Sequence, residues 1–160
     1  MTQKPRRYAE GTQTKVETSV AELRRAIVRY GGSNLAMMED DDTPAIAALF
    51  QIGGRWVRFL QKLPRRPDGT RSTSRNPRAM FAQHDAEVRR RWRVLLLRVK
   101  SRLEEFAEGE STWEECFLPY AVLADNRTVA EALAPELERM YRTGSMPRML
   151  EAPAPKGGQP

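Results

Sequence analysis

The sequence predicts an α+β fold: an N-terminal helix, a three-stranded antiparallel sheet, a long basic helix and two C-terminal helices. Three observations predict it. Apolar residues recur at helical spacing from Val20 to Tyr30, they alternate on both sides of Gly53-Gly54, and they form a heptad-like stripe from Val88 to Phe106. The order α-β-β-β-α-α-α places helices on one side of an antiparallel sheet. A chain of 160 residues normally makes one domain and buries roughly two-thirds of the surface its unfolded form exposes. That domain is assigned to residues 8–150. Residues 1–7 read as a disordered basic N-terminus and 151–160, "EAPAPKGGQP", as a disordered Pro/Gly-rich tail.

Each element follows from local chemistry. Ser19 and Glu22 have the spacing of a capping box for the first helix, which carries Val20, Leu23, Ile27 and Tyr30 and stops at Gly31-Gly32. Upstream, "TQTKVE" alternates weakly and reads as a short strand. "SNLAMM" is extended and ends in the acidic turn Glu39 to Pro44. "AIAALFQI" puts Ile46, Ala48, Phe50 and Ile52 on one face, and Gly53-Gly54 turns the chain into "RWVRFLQKL". There Val57, Phe59 and Leu63 face inward, while Trp56, Arg58, Leu60 and Lys62 occupy the opposite face. Residues 64–78 form a mobile basic loop, longer than most connections. The long helix runs from near Ala79 to Glu108, with Gly109 after it, and Val94 and Leu97 fall off its main stripe. Thr112 with Glu115 caps a short helix ending around Pro119. "ADNR" turns the chain, and Thr128 with Glu131 caps a last helix through Leu133, Leu137 and Met140 to Gly144.

Charge is unevenly spread. The formal net charge is +6. Residues 55–102 contain 15 Lys/Arg against Asp68, Asp85 and Glu87, whereas the rest contains 12 basic and 18 acidic residues. A basic central third is a candidate face for polyanions. Three groups compete for that role. "EVRRRWRVLLLRVKSRLEE" threads arginines through the long helix, with Arg90 and Arg93 on one flank. The alternative is that these flanks pair with residues 104–151, which hold 11 acids and four bases. The sheet face of Trp56, Arg58, Leu60 and Lys62 alternates rings or apolar groups with cations, as single-strand binders do. The alternative there is burial beneath the long helix. The loop cations Arg65, Arg66, Arg71, Arg75 and Arg78 have little apolar material around them and must be exposed; they either close on a polyanion or are simply solvated.

Catalysis is not expected. No phosphate-binding or dinucleotide fingerprint is present, and no cofactor is implied. His84 is the single histidine and Cys116 the single cysteine, too few for a His- or Cys-built metal site or an internal disulfide. Cys116 reads as a core residue, and the acidic turn as solvated rather than metal-binding. No apolar run approaches the roughly 20 residues that span a bilayer, so no membrane partner is expected.

"YAEGT", "RRWRVLLLRVKSRLE" and "VLADNRTVAEALAPELERMYRTGSMPRML" together resemble a family of small uncharacterised proteins of tailed bacteriophages and prophages. Where that family reads V-L-P-D-G-R-T-V and closes on G-x-M-P-P-L-L, this chain has Ala124, Asn126 and Arg148. The resemblance covers most of residues 8–150, the middle loop excepted, and transfers no functional residue. It implies a phage gene product acting in the bacterial cytoplasm. The α-β-β-β-α order also looks like the double-stranded RNA-binding fold, in topology alone.

The leading expectation is therefore a non-catalytic nucleic-acid-binding accessory protein of a phage, serving replication, recombination or regulation. Arg58, Lys62, Arg65, Arg66, Arg71, Arg75, Arg78, Arg90 and Arg93 would supply phosphate contacts and Trp56 a base platform, to DNA or RNA. The alternative is a modulator of a host machine, such as a defence system, that offers the same cations to an acidic protein surface. Self-association through Val94 and Leu97 is a third possibility.

Overall fold

The computed structural model describes residues 8–40, 42–67 and 76–144. The expected mobility of loop residues 68–75, and both expected disordered ends, lie outside the described residues. The order is α1 (Val16–Arg29), β1 (Ser33–Asp40), β2 (Ala45–Ile52), β3 (Arg55–Lys62), α2 (Pro77–Ala107), α3 (Trp113–Phe117), a 3₁₀ turn (Leu118–Tyr120) and α4 (Val129–Thr143). The sheet is antiparallel in the order β1-β2-β3. The α+β class and its order of elements are as the sequence predicts.

α1 starts earlier than its sequence signal. Val16 opens it, Lys15 stands at the N-cap with no side-chain cap, and residues 12–15 form no strand. Ser19 is therefore inside the helix and buried, and its Oγ has no hydrogen-bond partner. Glu22, expected to close a capping box, instead accepts from Arg93 Nη1 at 2.7 Å. The stop is as expected: Gly31 has φ +83°, which a Cβ disfavours, and Gly32 N–H donates to Ile27 O at 2.8 Å.

The core lies between the helices and one sheet face. Ile46, Ala48, Phe50 and Ile52 of β2 and Val57 and Phe59 of β3 meet Leu23 and Ile27 of α1. Trp92, Leu95, Leu96, Val99 and Leu103 complete it from α2, and Trp113, Cys116 and Phe117 from α3. Phe59 is central: its ring centroid lies 6.0 Å from Phe50, 6.5 Å from Phe117 and 4.0 Å from Tyr120. Such pairs contribute about 0.5–1.5 kcal/mol each beyond buried area. Gly53 has φ +58°, and a Cβ there would sit 3.0 Å from Trp113 Cδ1. The hairpin glycine thus serves both the turn and the docking of α3, whose Trp113 Nε1 donates to Ile52 O at 2.9 Å.

The sheet's two edges differ. At β3, Val122 N–H donates to Trp56 O at 2.9 Å and Arg98 Nη2 donates to Leu60 O at 2.7 Å. The Arg98 guanidinium lies over Phe59 and Tyr120, and burial lowers its pKa. β1 is mostly exposed and carries a register irregularity between Ser33 and Ala36, with Asn34 at φ +53°.

Both C-terminal capping boxes, Thr112/Glu115 and Thr128/Glu131, form as expected. α4 departs from expectation in its packing. It ends at Gly144 in the left-handed region, yet none of its residues is buried, and Leu133, Leu137 and Tyr141 are exposed.

An added methyl at Gly32 would lie 2.5 Å from Ile27 Cγ2 and 3.0 Å from Ile27 O. Gly32→Ala should therefore destabilise the fold by about 1–3 kcal/mol, read as a lower urea midpoint at unchanged slope.

Candidate binding surface

Because α1 and α2 both pack on the Phe59 face of the sheet, neither helix covers the opposite, open face, although Ala45 and Ala47 on it are buried and α4 reaches its Arg58. Burial under the long helix, the alternative weighed from sequence, does not occur. The register places its side chains in rows: Asp40–Ala45–Lys62, Met38–Ala47–Leu60, Ala36–Leu49–Arg58, and Gln51–Trp56. Small alanines in β2 make a low floor, so the flanking side chains stand above it. Met38 is 43%, Trp56 39% and Leu60 44% exposed. Lone exposed apolar residues are ordinary, but several together on one sheet face mark an interaction surface.

The sequence placed Trp56, Arg58 and Lys62 on this face, and the structure does too. Arg58 is not free there. Its Nη2 donates to Glu131 Oε2 at 2.8 Å and its Nη1 to Asn126 Oδ1 at 3.4 Å, and its side chain is largely covered. This contact anchors the first turn of α4 to the open face. Beside it, Arg55 Nη1 pairs with Glu114 Oε1 at 2.6 Å while its guanidinium lies 4.4 Å from the Trp113 ring.

The remaining predicted site residues fall into separate groups. Arg65 and Arg66 line a cleft of about 470 Å³ at one end of the sheet, opposite Glu39, Asp40 and Asp42. His84 closes that cleft, with Nε2 3.3 Å from Pro64 O and Nδ1 3.2 Å from Asp85 Oδ1. At its described acids the acidic turn is exposed, as expected, and it is ordered locally by Asp40 Oδ1 accepting from the N–H of Asp42 and of Thr43. Arg78 is exposed in the first turn of α2, whose N-cap is Asn76. Among the described residues, Lys62, Arg65, Arg66 and Arg78 have no ion pair. Arg71 and Arg75 lie outside the described residues.

The helix cations are held within the molecule. Arg90 makes a bidentate pair with Glu87 at 2.9 and 2.6 Å, which raises its pKa, and also donates to Tyr8 O. Arg91 shares Glu87, Arg93 pairs with Glu22, and Arg102 with Glu105. On the flanks of α2, the neutralisation by residues 104–151 that the sequence allowed occurs at Lys100 and Arg102; that segment also pairs with Arg55 and Arg58 of β3. At Arg90, Arg91 and Arg93 the partners come from α2 itself and from α1. The eight of the predicted residues that are described fall into separate groups and do not converge on one patch.

Cys116 is buried, as expected, and burial raises its thiol pKa; its charged neighbours are Glu105 and Arg102, at the other end of α2 from His84. No group of three or more His, Cys, Asp or Glu among the described residues could hold a metal. No described helix is long and apolar enough to cross a membrane.

Sequence reasoning missed Met38 on this face, the exposure of Leu133, Leu137 and Tyr141 on α4, and the pairing of Arg55 and Arg58 with the C-terminal helices. The Ala36/Met38 alternation was a signal for the first. The others depend on contacts between distant segments. No family model, no curated protein and no solved structure matches the chain.

Hydrogen bonds from Thr128, backbone first and hydroxyl second to it, and the nearby Arg58 hold the Glu131 carboxyl below the ordinary carboxylate range. A carboxylate with a depressed folded pKa stabilises above its unfolded value, about 4.3, and loses that contribution as pH falls through the folded value. Stability should therefore fall below about pH 4.3, and Glu131→Gln should flatten that acid limb. Urea midpoints measured across the acid range check this.

Proposed function

We propose that the protein is a non-catalytic binding protein of phage origin, acting in the bacterial host cytoplasm, whose open sheet face engages a host protein. One observation carries this reading. The open face presents Met38, Leu60 and Trp56 above an alanine floor, while its central cation, Arg58, is already neutralised by Glu131. A surface of Trp, Met and Leu with arginines at its border has the composition of a protein–protein interface core. Lys62, Arg65 and Arg66 at its end offer charge to an acidic rim on the partner, which would act on encounter rate more than on final affinity. Modulation of a host machine, such as a defence system, fits this surface and the phage resemblance.

The nucleic-acid reading keeps one favouring observation: Lys62, Arg65, Arg66 and Arg78 are unpaired and flank the arginine-bearing segment 68–75. On that reading Trp56 serves as a stacking platform and binding weakens steeply with salt.

Affinity capture with the full chain from nuclease-treated bacterial lysate separates the two. A partner that survives nuclease and is lost with Trp56→Ala or Leu60→Lys supports the protein reading. A buried aromatic anchor contributes about 2 kcal/mol or more, so Trp56→Ala should weaken the purified pair about 30-fold. Capture that vanishes with nuclease, or a partner indifferent to both substitutions, overturns it.

A further inference from the structure

The solvent side of the α1–α2 pair carries cations that neither the sequence-based site nor the sheet surface includes. A cleft of about 260 Å³ runs between the helices, floored by Ala26 and Leu96 and walled by Arg25, Arg29, Tyr30 and Lys100. Arg25 makes one long hydrogen bond, Nε to Ala21 O at 3.3 Å, and its terminal nitrogens are unengaged. The contact of the Arg29 guanidinium is with the Tyr30 ring, 5.5 Å away. Lys100 Nζ lies 3.6 Å from a Glu104 oxygen that already accepts from Tyr30 Oη at 2.9 Å. Glu22, also at the cleft, is occupied by Arg93. The exposed Arg24 adds a further cation on α1.

This arrangement opposes itself without a ligand. Arg25 and Arg29 are i,i+4 neighbours, and like charges at that spacing destabilise a helix by a few tenths of a kcal/mol. Here no carboxylate bridges them. An anion in the cleft would meet both guanidiniums, with Lys100 shared with Glu104, and guanidinium groups match phosphate oxygens through paired N–H donors. The apolar floor offers no donors or acceptors for reading bases, so contact would be to the backbone and indifferent to sequence.

We propose that the α1–α2 cleft binds the phosphate groups of a nucleic-acid strand. This site lies on the helical layer, away from the open sheet face. A strand here and a protein there could be held together, and the proposal does not depend on the sheet-face reading.

The test is fluorescence anisotropy of a labelled single-stranded oligonucleotide with the full chain at two salt concentrations. Arg25→Glu/Arg29→Glu should weaken binding by at least about tenfold. The neutral pair Arg25→Gln/Arg29→Gln, which adds no acid, should weaken it in the same direction and make the salt slope shallower by about 1.4. Arg65→Glu/Arg66→Glu should leave affinity within about twofold of wild type, after allowance for its long-range charge. Thermal unfolding of each variant separates loss of binding from loss of fold. Binding unchanged in both α1 pairs, binding lost only in the Arg65/Arg66 pair, or no binding at low salt overturns the proposal. So does inorganic phosphate that binds as tightly as the oligonucleotide, because the cleft would then be a small-anion site. Capture of a nuclease-resistant protein is unaffected by any of these results, so the two readings fail separately.

Discussion

Phe59 is where the fold is tied together. Its ring meets Phe50 across the strand pair, Phe117 from α3 and Tyr120 from the 3₁₀ turn, and the Arg98 guanidinium of α2 approaches it at 5.7 Å. A single side chain thus joins the sheet to both the long helix and the C-terminal segment. Because every helix of the core gathers on that side, the other side of the sheet is left without a covering layer. The open face is a consequence of how the core closes.

The same geometry explains why the described cations of the basic central third do not form one patch. A strand alternates its side chains, so Arg58 and Lys62 project opposite to Phe59, whereas α2 distributes its arginines around a cylinder. Arg90 and Arg91 share Glu87 within their own helix, Arg93 crosses to α1, and Arg55 and Arg58 reach the C-terminal helices. The most exposed of these, Arg55–Glu114, contributes little to stability on its own. The larger effect of these pairs is to decide which cations remain for a ligand: those near the end of β3, and those on α1.

What was legible in the sequence was local. The alternation around Gly53-Gly54, the Val88-to-Phe106 stripe and the Thr112/Glu115 and Thr128/Glu131 boxes each depend on residues a few positions apart, and each appears in the structure. The Ser19/Glu22 pair shows the limit of that reasoning. The same spacing also falls within a helix interior, and here Ser19 faces the core one turn inside α1. Amphipathy in α4 was equally visible, but an apolar stripe reports a preference and not the presence of a neighbour. Tyr141 remains 87% exposed. The pairs Arg58–Glu131 and Arg93–Glu22 span 73 and 71 residues, so no local pattern could have shown which arginines were already engaged.

The unequal edges of the sheet have a consequence for self-assembly. Copies that polymerise strand to strand need two free edges on every molecule, since each edge carries both N–H and C=O groups. At β3, Val122 occupies the Trp56 carbonyl and Arg98 the Leu60 carbonyl, while β1 alone offers a row of open backbone groups interrupted by its bulge. Edge pairing between copies is therefore easier at β1 than at β3, where an incoming strand would first have to displace Val122 and Arg98.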